Sequence, residues 1–397
     1  MSTENNDGVI FNISPGILFV GVIVFALTNI FAVSGIAQQL NFNHAMGWIA
    51  TLCLFMCGSK FTKEYCFPKP PLNLSYYFIL ILWTVYILLN YRNSNQIVNF
   101  ITLFGLPFFV CLMASLNWND FNYLKTGITL NVLSCLLVWL FLPGHILSGW
   151  NSNSPIFIVP IMLFGLSCIT VTDYSHKRML ILLMGGLDAF LILKLGNRSA
   201  LLAICLFLAG YIYPKIYKNK LYFTISLLVL IIFNVAAPLF QEIVVNSDIY
   251  KSAIRLTASS VEKSGGLNGR EGLWFMALKV IDLHPIFGNY GSRYLAMYFH
   301  NFSLDILVQF GWVGWTLFFS MLIYIMMKCF TQGSPVNIFL WGFICLLLLN
   351  TFENAMVCNE YFAIFPYLLL GVPLFFRSIG GEAYTDTEFF DYDIKEP

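Results

Sequence analysis

Apolar stretches long enough to cross a lipid bilayer recur along almost the whole chain, between Ser14 and Phe376. A transmembrane helix needs about 20 predominantly apolar residues, and about twelve stretches, with eleven as the alternative count, approach this length. They lie near residues 15–36, 44–59, 73–91, 97–115, 124–144, 155–172, 178–195, 199–216, 221–240, 304–328, 336–357 and 360–377. The sequence therefore predicts an all-α, polytopic integral membrane protein with about 12 transmembrane helices.

The overall composition excludes several classes of protein. Of the 397 residues, 58% are hydrophobic and only 10% are charged, whereas a globular chain carries about 25% charged residues. The formal net charge of +1 offers no basic surface for nucleic acid. We expect one transmembrane domain over residues 1–379 and an acidic, disordered cytoplasmic tail over residues 380–397. The polar start of the chain contains no Lys or Arg, so a cleaved secretory signal is not expected.

Lys and Arg are concentrated in alternate connections between the predicted helices. Short cytoplasmic loops retain these residues, so the connections that contain them are expected to face the cytoplasm. The residues concerned are Lys60, Lys63, Lys69, Lys125, Lys177, Arg178, Lys215, Lys218, Lys220 and Lys328. The opposite short loops hold only Arg92, Lys194 and Arg198. Both termini are therefore predicted to be cytoplasmic, and the long connection over residues 241–303, between the ninth and tenth spans, is predicted to lie outside.

This long connection is itself rich in positive charge. It contains Lys251, Arg255, Lys263, Arg270, Lys279 and Arg293. Long loops are exempt from the orientation rule, so these charges need another explanation. Binding of a phosphate-bearing ligand is one explanation, and a simple solvated loop is the other.

A short amphipathic helix is predicted inside the connection, over residues 271–283, because apolar residues recur there at helical spacing. Asn268 and Gly269 are typical start signals, which puts Arg270 in the first turn. Free backbone N–H groups and the helix dipole favour an anion at that position. Arg270 is therefore a candidate phosphate ligand, and the alternative is a surface arginine paired with Glu271.

Ionisable residues next to or inside the predicted spans have both functional and structural interpretations. His300 directly precedes the tenth span, where an imidazole can act as a general base or can merely cap a helix. Arg198 lies in a tight connection on the predicted outer face, where it can bind a lipid phosphate or snorkel to headgroups. Asp188 and Glu353 lie within spans and need a partner or a wet cavity; either can pair with an arginine near the site or serve structure alone.

The cysteines do not indicate a disulfide framework or a metal centre. None of the ten lies in the long external connection. Cys53 and Cys57 are spaced i, i+4, but no His or carboxylate nearby completes a tetrahedral set, so core packing is the preferred interpretation. No metal site is predicted.

Several of these residues form a pattern that resembles a known family. His300-Asn301, then nine residues, then Gly311-Trp312-Val313-Gly314 resembles the His-Asn-x9-Gly-x-x-Gly motif of the O-antigen ligase and O-antigen polymerase superfamily. Asn268-Gly269-Arg270, Trp274 and His284-Pro285-Ile286-Phe287-Gly288 are similar to its Gly-Arg, Trp and His-Pro-x-x-Gly elements. Arg198-Ser199-Ala200-Leu201-Leu202 is similar to its Arg-x-x-x-Leu element. The motifs cover about residues 190–320, and the topology covers the whole chain.

The resemblance implies a GT-C-like membrane glycosyltransferase in the bacterial inner membrane. Its substrate would be an undecaprenyl-diphosphate-linked oligosaccharide on the periplasmic face, with no cofactor and no metal. Its surroundings would include membrane lipid, with a chain-length regulator or a flippase as protein partners. The motif positions imply that Arg198, Arg270 and Arg293 bind the diphosphate, that His300 is the catalytic base, and that Asn301, Trp274, Gly311 and Gly314 support the site. In this scheme Asn301 holds the geometry or a sugar hydroxyl, and the two glycines let the tenth span approach a neighbour closely.

Within the family, the acceptor separates the alternatives. A polymerase extends a carrier-linked repeat unit of O-antigen or capsule, and this is the first choice. A ligase transfers the glycan to lipid A core, and a protein O-oligosaccharyltransferase modifies protein. A transporter or flippase for lipid-linked sugars is the alternative from another class, although its usual repeated halves and midplane charges are not evident. A purely structural scaffold is the remaining alternative.

Overall fold

The computed structural model describes residues 103–114, 118, 121–142, 155–239, 270–289, 299–352 and 364–378, and in these parts every regular element is a helix. The helices are α1 (Leu106–Ala114), α2 (Tyr123–Phe141), α3 (Pro155–Thr170), α4 (Lys177–Leu195), α5 (Arg198–Ile212), α6 (Lys215–Lys218), α7 (Lys220–Leu239), α8 (Arg270–Leu283), α9 (Phe302–Cys329), α10 (Asn337–Leu349) and α11 (Ile364–Ser378). The first three predicted spans, most of the external connection, Arg293, Glu353 and the acidic tail lie outside the described residues.

Three of the described helices are long and apolar enough to cross a membrane: Tyr123–Leu140, Lys220–Pro238 and Phe302–Cys329. From α2 to α9 the helices begin and end within a few residues of the predicted spans, and the short helix predicted over 271–283 is confirmed as α8. Of the span predicted near 336–357, residues 353–357 lie outside the described residues; within the described part, α10 ends at Leu349. It ends because the chain turns at Asn350, whose carbonyl accepts the backbone N–H of Phe302 at 2.9 Å.

The helices form a buried centre surrounded by apolar outer faces. Every residue of α10, and every residue of α3 from Ile158 onward, is buried. On the outside, α4 and α7 expose apolar side chains along their length, including Met179, Leu183 and Ile232. Apolar faces without a protein cover are typical of helices in lipid, because lipid tails solvate them as well as a protein core does. The described part of the chain therefore has the character of a membrane protein.

The helix ends that carry most of the Lys and Arg side chains lie together. The backbone N–H of Gly333 donates to the carbonyl of Lys218 at 3.0 Å, and Arg377 donates to the carbonyl of Lys328 at 2.6 Å. We call this the basic end; it contains Lys177, Arg178, Lys215, Lys218, Lys220, Lys328 and Arg377. The opposite end of the bundle, where α7 and α10 finish and α9 starts, is called the His300 end.

Asp188 lies in the middle of α4 and is completely buried. The Sγ of Cys135, on α2, donates a hydrogen bond to its Oδ1 at 3.0 Å, while its Oδ2 has no hydrogen-bond partner among the described residues. Of the alternatives for Asp188, the structure favours a structural role over pairing with an arginine near the site, because α4 turns this carboxyl toward Cys135 on α2. Asp188 has a structural neighbour in the bundle and is not part of the His300 end.

Candidate functional site

Asn301 ties three segments together at the start of α9. Its side-chain oxygen accepts the backbone N–H of Leu304 at 2.9 Å, which caps the helix. Its amide donates to the carbonyl of Asn234, on α7, at 3.1 Å and to the carbonyl of Thr351, after α10, at 2.8 Å. Asn301 is completely buried, and both amide hydrogens are engaged. The geometry therefore favours the positioning alternative for Asn301 over a bond to a sugar hydroxyl.

Phe299, two residues earlier, is fixed by hydrogen bonds on both of its backbone polar groups. The indole Nε1 of Trp274 donates to its carbonyl at 2.8 Å. Its own N–H donates to the carboxyl Oδ1 of Asp305 at 3.0 Å. Trp274 is buried against the ring of Phe352, with centroids 6.4 Å apart, so its indole holds the backbone and is not available to stack on a sugar.

His300 lies between these two anchored residues and has a left-handed backbone, with φ +50°. It is the one non-glycine residue with positive φ in the described part of the chain. Such conformations cost free energy and persist only where the surroundings fix them, and they are concentrated at functional sites. The side chain of His300 is half-buried, so its backbone is fixed by its neighbours while part of the side chain is accessible at the surface.

A break divides α9 one third of the way along its length. Gly311 has φ +64° and ψ −170°, a conformation open essentially only to glycine, so the 28-residue helix consists of two helical segments. The span predicted near 304–328 is present as the candidate membrane-crossing helix Phe302–Cys329, and the break at Gly311 is a feature that the sequence did not predict.

The loop that follows α8 packs against α9 at the break. The backbone N–H groups of Trp312 and Val313 donate to the carbonyls of Pro285 (2.8 Å) and Ile286 (3.1 Å), and the N–H of Asn289 donates to the carbonyl of Val308 (2.8 Å). These hydrogen bonds satisfy the polar groups that the break leaves without helical partners.

Gly288 and Gly311 make the close approach between loop and helix possible. A Cβ added at Gly288 would lie 2.5 Å from the carbonyl oxygen of Gln309, and one added at Gly311 would lie 2.5 Å from the nitrogen of Gly288. The expectation that Gly311 allows close packing is confirmed. Its partner, however, is a loop backbone rather than a neighbouring helix. Gly314 is buried one turn further along α9.

The first segment of α9 is enclosed on all sides: each residue from Asn301 to Gly311 is buried. Two polar groups inside it, Oδ2 of Asp305 and Oγ of Ser303, have no hydrogen-bond partner among the described residues. We did not identify Asp305 from the sequence as a site residue. The signal was present, since a carboxylate near the start of an apolar span is costly unless it has a function or a partner.

The three predicted diphosphate ligands are described to different extents. Arg198 begins α5 directly after a tight hairpin, in which Gly196 is left-handed and Asn197 caps the helix by accepting the N–H of Ala200 at 2.9 Å. Because α5 and α10 run antiparallel, with Trp341 donating to the carbonyl of Leu206 at 3.2 Å, Arg198 lies at the His300 end.

Arg270 is the first residue of α8, one turn before Trp274, so its backbone lies at the same end. Its side chain and all of Arg293 lie outside the described atoms. Among the residues that the structure describes, no three His, Cys, Asp or Glu side chains are grouped closely enough to hold a metal ion. Comparison of the chain with known protein families, with curated proteins and with solved structures finds no match.

Proposed function

We propose that this protein is a membrane polysaccharide polymerase. It transfers a glycan chain from undecaprenyl diphosphate to a carrier-linked repeat unit of O-antigen or capsule, on the outer face of the bacterial inner membrane. The observation that carries this proposal is the constrained His300, held between Phe299 and Asn301 at the end of the bundle where α5 and α8 begin with Arg198 and Arg270. A fixed base beside cationic groups suits the transfer of a sugar from a diphosphate.

The contacts between motif residues support the proposal. Trp274 binds the residue before His300, and the His-Pro-x-x-Gly loop docks at Gly311 through Gly288. These residues are more than 20 positions apart in the sequence, yet Trp274 and the His-Pro-x-x-Gly loop both contact the segment that carries the His-Asn-x9-Gly-x-x-Gly motif. If the motif matches had arisen by chance, there would be no reason for the matched residues to contact one another.

In the proposed mechanism, the imidazole of His300 accepts the proton of the acceptor hydroxyl. The hydroxyl oxygen forms a bond to the anomeric carbon of the donor sugar, and the bond between that carbon and the diphosphate oxygen breaks. Arg198, Arg270 and Arg293 neutralise the negative charge that develops on the departing undecaprenyl diphosphate. Asn301 and Trp274 position the imidazole and do not contact the reacting atoms.

Synthesis in a defined system tests this function. The full-length protein, purified in detergent, is incubated with one lipid-diphosphate-linked repeat unit as both donor and acceptor. We expect a ladder of carrier-linked products that differ by one repeat unit. If products form only after lipid A core is added, the protein is a ligase; if only an acceptor peptide is modified, it is a protein glycosyltransferase. If no glycosidic bond forms with any acceptor, the enzymatic function is wrong, because detergent micelles allow bond formation but no transport.

A further inference from the structure

A cleft at the basic end, on the opposite side of the bundle from His300, is lined by cationic and hydroxyl-bearing side chains. It has a volume of about 330 Å³ and lies where α4 begins and α5 ends. Its lining residues are Thr170, Lys177, Arg178, Tyr211, Ile212, Pro214, Tyr217, Lys218 and Pro335. This volume is at the lower end of the range typical of small-ligand sites. The lining contains three cationic residues and no carboxylate, so the cleft favours an anion.

Tyr217 gives the cleft a hydroxyl group on a largely buried side chain. The residue is only 4% exposed, lines the cleft, and its hydroxyl makes no hydrogen bond to the described residues. Burial and the neighbouring Tyr211 raise the pKa of the Tyr217 hydroxyl above its ordinary value, so the group keeps its proton and can donate to an anion.

The cations come from two separate elements. Lys177 and Arg178 begin α4, and Lys218 ends α6. Lys177 uses one of its three protons on the carbonyl of Thr172 at 2.6 Å, which fixes its position and leaves two protons for another acceptor. The planar guanidinium of Arg178 suits two oxygens of one phosphate group. Asp173 is exposed in the adjoining turn and does not line the cleft.

An exposed apolar row starts directly beside the cationic groups. Met179 follows Arg178 in the chain, and Met179, Leu183 and Leu187 are spaced four residues apart on one face of α4 with exposed side chains. Ile212, which lines the cleft, is 63% exposed. A ligand with an anionic headgroup and an acyl chain would place its charge against the cations of the cleft and its chain against the apolar row. A soluble phosphate would contact only the cations.

We propose that the cleft binds the headgroup phosphate of an anionic phospholipid, with the acyl chain along the Met179–Leu183–Leu187 row. Basic pockets between transmembrane helices are a common form of lipid headgroup site. The proposal does not depend on the function assigned to the His300 end, since it rests on different residues at the other end of the bundle.

Native mass spectrometry of the purified full-length protein, titrated with phosphatidylglycerol or phosphatidylcholine, tests this site. We expect one phosphatidylglycerol to bind at least tenfold more tightly than phosphatidylcholine. Arg178→Gln should weaken its binding roughly fivefold, the effect of one cation near an anionic lipid surface. Tyr217→Phe should weaken it about threefold without lowering the melting temperature, because the deleted hydroxyl makes no hydrogen bond to the residues that the structure describes.

Lys125→Gln is the matched control, because Lys125 is exposed at the start of α2 and does not line the cleft. The proposal is overturned if Arg178→Gln and Tyr217→Phe bind phosphatidylglycerol as tightly as Lys125→Gln does. Equal affinity for both lipids would also overturn it. Inorganic phosphate at millimolar concentration should not displace the lipid; complete displacement would assign the cleft to a soluble phosphate compound instead.

Discussion

The left-handed backbone of His300 allows its chemistry to be separated from its conformation. A residue with a Cβ occupies this region at a cost of about 1–2 kcal/mol, whereas Gly and Asn adopt it readily. Exchange of His300 for either residue therefore removes the imidazole while keeping the backbone conformation accessible. An alanine at the same position removes the imidazole and retains the conformational cost.

We expect His300→Asn, His300→Gly and His300→Ala each to lower turnover by about 10²- to 10⁴-fold, which is the usual contribution of a general base. The Asn and Gly variants should melt within a few degrees of the wild-type protein in detergent, because both residues tolerate positive φ. Turnover is measured by the formation of ladder products. Retained turnover in His300→Asn would show that the imidazole is not the base.

Asn301 should be important for stability because its amide serves three backbone groups. Asn301→Ala removes a helix cap, worth about 1 kcal/mol, and leaves the carbonyls of Asn234 and Thr351 without their donor, at about 1–3 kcal/mol each. We expect a total loss of about 3–7 kcal/mol, measured as a fall in melting temperature.

Asn122→Ala is the control for this loss, since Asn122 caps the exposed start of α2 by accepting one N–H, that of Lys125, at 3.0 Å. It should cost only about 1 kcal/mol. If the two alanine variants melt at the same temperature, the bonds from Asn301 to α7 and to the turn after α10 do not stabilise the bundle.

At the scale of elements, the break in α9 and the loop after α8 depend on each other. Gly311→Ala puts a side chain into a conformation open essentially only to glycine and against the loop backbone, and Gly288→Ala places a Cβ against the carbonyl of Gln309. Each variant should undock the loop, with a loss of about 3 kcal/mol or more and a large loss of turnover. Since the loop can undock only once, the double variant should be little worse than either single variant.

A double-mutant cycle of melting temperature and turnover measures this dependence. Gly272→Ala is the control, because Gly272 lies in the exposed first turn of α8 and an added Cβ meets nothing within 4 Å. It should leave both quantities unchanged. Additive effects of Gly288→Ala and Gly311→Ala would mean that the loop and the break are independent.

The helices could be predicted from the sequence with more success than the contacts between them. Apolar run length located α2, α4, α7 and α9 to within a few residues, because it reflects the thickness of the bilayer. It could not locate the break at Gly311, since a glycine inside an apolar run is equally compatible with a continuous helix. Nor could it identify Asn234 and Thr351 as partners of Asn301, because those pairs lie 67 and 50 residues apart.

At the scale of the whole molecule, the positive charges divide the bundle into two ends. The basic end gathers the connections predicted to be cytoplasmic, and the His300 end lies opposite. The orientation rule then gives a direct expectation for each connection, because Lys and Arg in short loops are retained on the cytoplasmic side.

Reporter fusions at single positions check this orientation. Green fluorescent protein fused after Ser175, Asn219 or Gly333 should fluoresce, and alkaline phosphatase fused after Asn197 should be active, because that enzyme matures only outside the cytoplasm. Each position is tested with both reporters, which control for each other. Phosphatase activity after Asn219 would show that the bundle has the opposite orientation. His300 would then face the cytoplasm, where the proposed donor is not presented.

The amide of Asn301 also dictates when the active form can arise during biosynthesis. Its partner Thr351 is translated 50 residues after it, and the break at Gly311 is translated 23 residues after Gly288. The loop after α8 can therefore dock only after the first part of α9 has been synthesised. The bond from Asn301 to Thr351, beside His300, forms only once α10 has been synthesised and inserted. A nascent chain that stalls before residue 351 contains His300 and every motif glycine, yet lacks one of the bonds that hold the segment of the proposed base.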